Sequence, residues 1–142
     1  MPFTRVERAA LYAGIGCRRG CPASELAVLL QQVLATQALP FSAVKGLASI
    51  DGKSDEPGMH QLAAQLGLPL MFFSAVELAP FEAQLSHRSP TAWQHTGCWG
   101  VAESAALAMA ATTHPGPVHL HVTRQASSQA TLALACSAVL EG

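Results

Sequence analysis

The chain has 142 residues, of which half are hydrophobic and 12% charged, and its mean hydropathy is positive at +0.28. A chain of this length is expected to make one domain, residues 1–142, burying roughly two thirds of the surface its unfolded form exposes, without help from disulfides or a metal. Eight Lys and Arg against nine Asp and Glu give a net charge of −1, which excludes the basic excess of a general nucleic-acid binder.

In chain order, the first eight residues carry an acid and no apolar core, so no signal peptide is read and a cytoplasmic location is expected. Ala9 to Gly16 is a short apolar run ended by glycines, the pattern of a buried strand. Leu26, Leu29, Leu30, Val33 and Leu34 recur at helical spacing on one face, and Pro22 fits the first turn of that helix. Val44 to Ile50 reads as a second strand, followed by a polar loop and a helix opened by Pro57. Met59, Leu62, Ala63 and Leu66 form its apolar face, and Gly67 is its stop. Leu68 to Phe73 is a third strand. Ser74-Ala-Val-Glu77 has the capping-box pattern, and Pro80 keeps the helix it starts short.

Ser86 to Pro90 reads as a polar break, and the Ala-rich stretch from Val101 to Ala111 as a helix whose small side chains suit close packing on a sheet. Val118, Leu120 and Val122 alternate with His119, His121 and Thr123, and Thr131 to Cys136 is a second β-prone run across a Ser-Ser-Gln turn. The alternation of strand and helix followed by a hairpin predicts an α/β fold, three layers α/β/α around a mixed sheet of about five strands. Apolar stretches such as Leu66 to Phe73 fall short of the roughly 20 residues of a membrane span, so no membrane association is expected.

The most informative string is Gly14-Ile-Gly-Cys-Arg-Arg-Gly20, between a strand and a helix start. Glycines let the backbone approach a ligand, the free amides at the helix start favour negative charge, and Arg18 and Arg19 add two donor forks matched to carboxylate or phosphate. The alternative is a tight turn with two solvated arginines. The spacing G-x-G-x-x-x-G is one residue longer than the dinucleotide fingerprint, no acid follows about 20 residues on to hold a ribose, and the string lacks a P-loop ending. No cofactor is expected. The loop Ser49-Ile-Asp-Gly-Lys53-Ser-Asp-Glu56 follows the second strand as the first loop follows the first. Both then share the rim where ligands bind in open α/β sheets, with Lys53 as a further cation and Asp51 as a candidate acid or base. Asp55 and Glu56 are read as helix-start residues that favour the dipole.

These strings, with Ser86, Ser89-Pro90, Gly97, Val101-Ala-Glu103, Ala105-Ala106 and Thr131-Leu-Ala-Leu-Ala, resemble in order the cobalamin-biosynthesis family made of CobE and the C-terminal domain of CbiG. The resemblance runs through nearly the whole chain and departs from it at Cys21-Pro22, where other members often carry small hydroxyl residues. It implies a role in building the corrin ring. In that family full-length CbiG is the cobalt-precorrin-5A hydrolase, which opens a lactone on the macrocycle and releases acetaldehyde. The chain corresponds to the C-terminal part alone, as in stand-alone CobE of the aerobic pathway. Two functions stay open: a carrier or accessory that binds a precorrin or other corrinoid intermediate, in contact with other cobalamin-pathway enzymes, or a lactone hydrolase in which Asp51, Asp55, Glu56 or Glu103 activates water.

Precorrins carry many acetate and propionate carboxylates, so the ligand-binding candidates are Gly14, Gly16, Cys17, Arg18, Arg19, Gly20 and Lys53, with Ser86 and Ser89 as hydroxyl donors. Ser86 and Ser89 also suit plain turns, and Glu103 also suits a helix start. Four cysteines without repeated spacing read as reduced thiols. His119-Leu-His121 and Cys17-x3-Cys21 supply two ligands each and no converging set, so no metal site is read. Trp93 and Trp99 flank Gly97 and offer either a flat surface to a macrocycle or ordinary packing.

Overall fold

The computed structural model describes residues 10–114 and 116–137; the reading of the first eight residues, and the start of the first strand at Ala9, lie outside them. Five strands, β1 (Leu11–Cys17), β2 (Val44–Ile50), β3 (Leu70–Phe73), β4 (Val118–Ala126) and β5 (Ala130–Ser137), form one mixed sheet in the order β3-β2-β1-β5-β4. The three strands of the first half run parallel, and the terminal hairpin joins β1 antiparallel through β5. The helices are α1 (Ala23–Thr36), α2 (Pro57–Leu66), α3 (Ala75–Leu78), α4 (Pro90–Thr96) and α5 (Val101–Thr113).

The expected three layers are present. On one face α1 and α2 bury Leu26, Leu29, Leu30, Val33, Met59 and Leu62 against Leu11, Ile15, Leu47, Leu132 and Leu134. On the other, α5 buries Ala105, Ala106, Leu107 and Met109 against Tyr12, Ala48, Ile50 and Ala135. The elements follow their local signals. Pro22 is the residue before α1 rather than inside its first turn, and Gly67 ends α2 with φ 67°. Ser74 and Glu77 form the reciprocal capping box, after which α3 passes into a 3-10 turn containing Pro80.

Three differences from the expected elements concern the ends and one short helix. β3 starts at Leu70, because the Leu68 amide is used to close the end of α2 on Ala63 O at 3.1 Å. β4 continues past Thr123 to Ala126. The polar break leads into α4, which begins where the Ser89 hydroxyl accepts the Ala92 amide at 3.1 Å and Pro90 supplies a preset φ.

The tightest packing is α5 on the sheet. A Cβ built on Gly14 would stand 1.8 Å from Ala102 O and 2.6 Å from Ala106 N, both backbone atoms that have no rotamer to yield. Gly14 is thus a contact that lets a helix axis come close to β1, and it does not line the cleft described below. Gly14→Ala should force α5 away from the sheet and destabilise the protein by about 3 kcal/mol; urea unfolding followed by far-UV circular dichroism measures this, and a loss below about 1 kcal/mol would contradict it.

Candidate functional site

Several connections meet at one rim of the sheet. β1 and β2 are parallel, so the loop after Cys17 and the 3-10 turn Asp51–Lys53 emerge side by side. β5 pairs Ala130 with Cys17, and β4 pairs Ala126 with Thr131, which returns the hairpin turn at residues 127–129 to the same rim. There the Arg18 amide donates to Gln129 O at 2.9 Å. α5 runs against β1, with Val101 beside Gly16, Ala102 and Ala106 beside Gly14 and Met109 beside Gly46, so its N-terminal amides also reach the rim.

Between these loops and residues 87–100 lies a cleft of about 840 Å³. Arg18, Arg19, Lys53 and Arg124 line it, four of the eight Lys and Arg in the chain, against Asp51 and Glu103, two of its nine acids. Arg18, Arg19 and Arg124 are exposed and Lys53 half-buried. Among the expected site residues, Gly16, Cys17, Arg18, Arg19, Asp51, Lys53, Ser89 and Glu103 are brought together here. Gly14, Gly20 and Ser86 are not among the lining residues. Gly20, with φ 80°, turns the loop so that its amide donates to Glu56 Oε1 at 3.0 Å.

Glu56 reads in sequence as a helix-start residue in preference to an acid or base. Its carboxylate leaves the α2 amides uncapped and, buried, crosses to the arginine loop, tying the two loops to each other. Glu103 has a comparable duty. It is 1% exposed, its Oε1 accepts the Ser86 amide at 2.8 Å, and its Oε2 accepts both the Ser86 hydroxyl and, at 2.8 Å, the Arg124 amide. One carboxylate therefore joins α5, the start of the 87–100 wall and the strand that presents Arg124. Three donors of the protein occupy its two oxygens. Asp51, in contrast, is exposed at the mouth.

Burial, reinforced by the neighbouring Cys21 sulfur and opposed by Lys53, pushes the Cys17 thiol up to about 11. Burial first, and Glu25 next, raise Cys21 as well. Both sulfurs are neutral near pH 7 and supply soft, weakly polar surface rather than nucleophiles. Cys17, Cys21 and Cys98 are free thiols. Among the described residues no group of three or more His, Cys, Asp or Glu converges as a metal site.

Residues that sequence reading passed over also line the cleft: Arg124, His87, His95, Thr91, Thr96 and the hairpin residues Ser127, Ser128 and Gln129. Arg124 was findable, because an antiparallel hairpin closing on β1 must bring the end of β4 to the rim. His95 depended on α4, for which only the Ser-Pro start and the Gly97 stop gave a signal.

Fold and cleft define an α/β protein in which four cationic side chains are concentrated around one cleft. The family model described as "Cobalamin synthesis G C-terminus" matches residues 11–135. The chain is 34% identical over 132 residues to "Protein CobE" of Sinorhizobium sp, covering 93% of this chain and 83% of that protein. A solved structure described as CobE, a protein from the cobalamin (vitamin B12) biosynthetic pathway, superposes with a TM-score of 0.86 at 42% identity, covering 89% of each chain. The cobalt-precorrin-5A hydrolase of Priestia megaterium is 30% identical over 125 residues, which are 88% of this chain and 32% of the hydrolase. The chain belongs to the Cobalamin synthesis G C-terminus family and is a cobalamin biosynthesis protein of the CobE type.

Two expectations follow from the site. Glu103→Ala should leave three donors without their acceptor, cost about 2–4 kcal/mol and expose the Ser86 and Arg124 amides to hydrogen exchange well before those of β1; continued protection of both amides would show that the carboxylate is not their anchor. Because the Cys17 pKa is raised on folding, its contribution to stability is intact below pH 9.0 and is lost as pH rises toward about 11. Alkylation of Cys17 by iodoacetamide in the native protein should accordingly accelerate with a midpoint near pH 11, and a midpoint at or below 9 would contradict the burial argument.

Proposed function

We propose that the protein binds a precorrin, a corrin-ring intermediate bearing several acetate and propionate carboxylates, in the cationic cleft, and serves as a carrier or accessory that passes it to other enzymes of the aerobic cobalamin pathway. The observation that carries this reading is the charge distribution: in a chain of net charge −1, half of all Lys and Arg face one cleft that holds two acids. Both oxygens of Glu103 are bonded to backbone amides and a hydroxyl of the protein itself rather than to the cationic side chains of the cleft. The N-terminal amides of α5, with no side-chain cap at Gly100, add to the attraction.

The lactone-hydrolase alternative has narrower support, since the hydrolase relative is matched over 32% of its length and Glu103 is a poor candidate for activating water. Asp51 remains the acid to test. Cys17, Cys21 and Cys98 as free thiols support a reducing, cytoplasmic location. Among the described residues no helix is long and apolar enough to cross a membrane.

Titration of purified protein with precorrin intermediates, followed by the tetrapyrrole absorption, tests the proposal. Arg18→Ala combined with Arg19→Ala should weaken binding at least tenfold, about 1.4 kcal/mol, with stability changed by no more than about 0.5 kcal/mol. Unchanged affinity in the folded double variant would sink the site. Acetaldehyde release by the wild type, abolished in Asp51→Asn, would replace the carrier reading with the hydrolytic one.

A further inference from the structure

The cations of the cleft account for attraction to carboxylates, and they would serve a small branched acid as well as a macrocycle. Residues 87–100 bear on the difference. This wall contributes no Lys or Arg to the cleft lining, and its largest lining side chain is Trp99. The Trp99 ring is stacked on Trp93, with centroids 5.0 Å apart and planes 17° from parallel. Trp93 is 44% exposed and backs Trp99 without itself lining the cleft, so the pair stands at the surface with Trp99 on the cleft wall.

The stack is built by the local chain. α4 carries Trp93, Gly97 ends the helix in the left-handed region with φ 75°, and the chain reverses so that Trp99 lies back on Trp93. The position of Trp99 is fixed on both sides. Its carbonyl accepts the Ser89 amide at 2.8 Å, and the preceding Cys98 is buried with its sulfur 3.1 Å from the Ser104 hydroxyl on α5. An aromatic surface held this firmly loses little freedom when a ligand packs on it.

We infer that the Trp93–Trp99 stack is the ring-recognition element of this cleft, which takes the face of a flat or gently ruffled macrocycle while the cations hold its peripheral carboxylates. This rests on the proposed cleft function and deepens it by naming the side chains that take the ring as distinct from those that hold its carboxylates.

Two probes separate ring from charge: uroporphyrin, a flat ring with carboxylates at its edge, and tricarballylate, a small acid with carboxylates and no ring. Trp99→Leu should weaken uroporphyrin binding about tenfold and leave tricarballylate binding within twofold of wild type, whereas Trp99→Tyr should restore most of the uroporphyrin affinity. Circular dichroism checks that the variants are folded. A measurement on the wild type needs no variant: the two indole N–H signals are the only ones in the chain, and uroporphyrin should move that of Trp99 by its ring current in a proton–nitrogen NMR spectrum. Wild-type uroporphyrin affinity in Trp99→Leu, or bound uroporphyrin with the Trp99 signal unmoved, overturns the inference while leaving the cationic cleft in place. If the wild type binds neither probe, the cleft reading fails and this inference fails with it.

Discussion

Much of this molecule follows from how closely α5 lies on β1. Gly14 has no side chain, and the Ala102 carbonyl occupies the space a Cβ would need. The helix answers with its own small residues: every position from Val101 to Ala110 is buried, and most are alanine or serine. Gly46 receives Met109 in the same way one strand further on. Close contact at several points along the helix leaves it little freedom to slide, and it is this fixed position that delivers Glu103 and the first-turn amides to the rim of the sheet.

From there the cleft is assembled by acids that act on the protein itself. Glu56 spans from the second loop to the Gly20 amide of the first, and Glu103 spans from α5 to Ser86 and Arg124. Their oxygens are engaged by backbone amides and a hydroxyl rather than by the cationic side chains, and the arginines and Lys53 line the open volume. The electrostatic character of the site is therefore produced as much by where the acids are engaged as by where the cations stand. A protein with a nearly neutral sequence can in this way present a strongly biased local surface.

The architecture was legible because its signals are local. Leu26, Leu29, Leu30 and Val33 at helical spacing, Pro57 before α2, the Ser74–Glu77 box and the alternation in β4 each specify one element without reference to the rest. The glycine–arginine string and Lys53 were legible as a site because parallel strands put successive loops on one rim. Gly14 belonged to the same string yet serves packing, since a glycine demanded by a neighbouring helix looks in sequence like one demanded by a ligand. Glu56 and Glu103 illustrate the opposite limit: their partners lie 36 and 17 residues away or more, and no spacing rule reports a contact that only the tertiary fold creates. The α4 helix and its His95 sat in a stretch too short for periodicity to register.

The Arg124 contact has one more consequence. β4 is the outermost strand on its side of the sheet, and a nine-residue edge is a template on which another chain can add itself. Its ladder to β5 slips between Leu120 and Val122 and again before Gln125, irregularities that bend an edge away from a flat approach. In that same irregular stretch the Arg124 amide is already bonded to Glu103, and near the strand's start Gln84 holds the Val118 carbonyl at 2.8 Å. The carboxylate that braces the cleft also helps to terminate the sheet, so that a small apolar protein with an exposed strand is discouraged from polymerising through it.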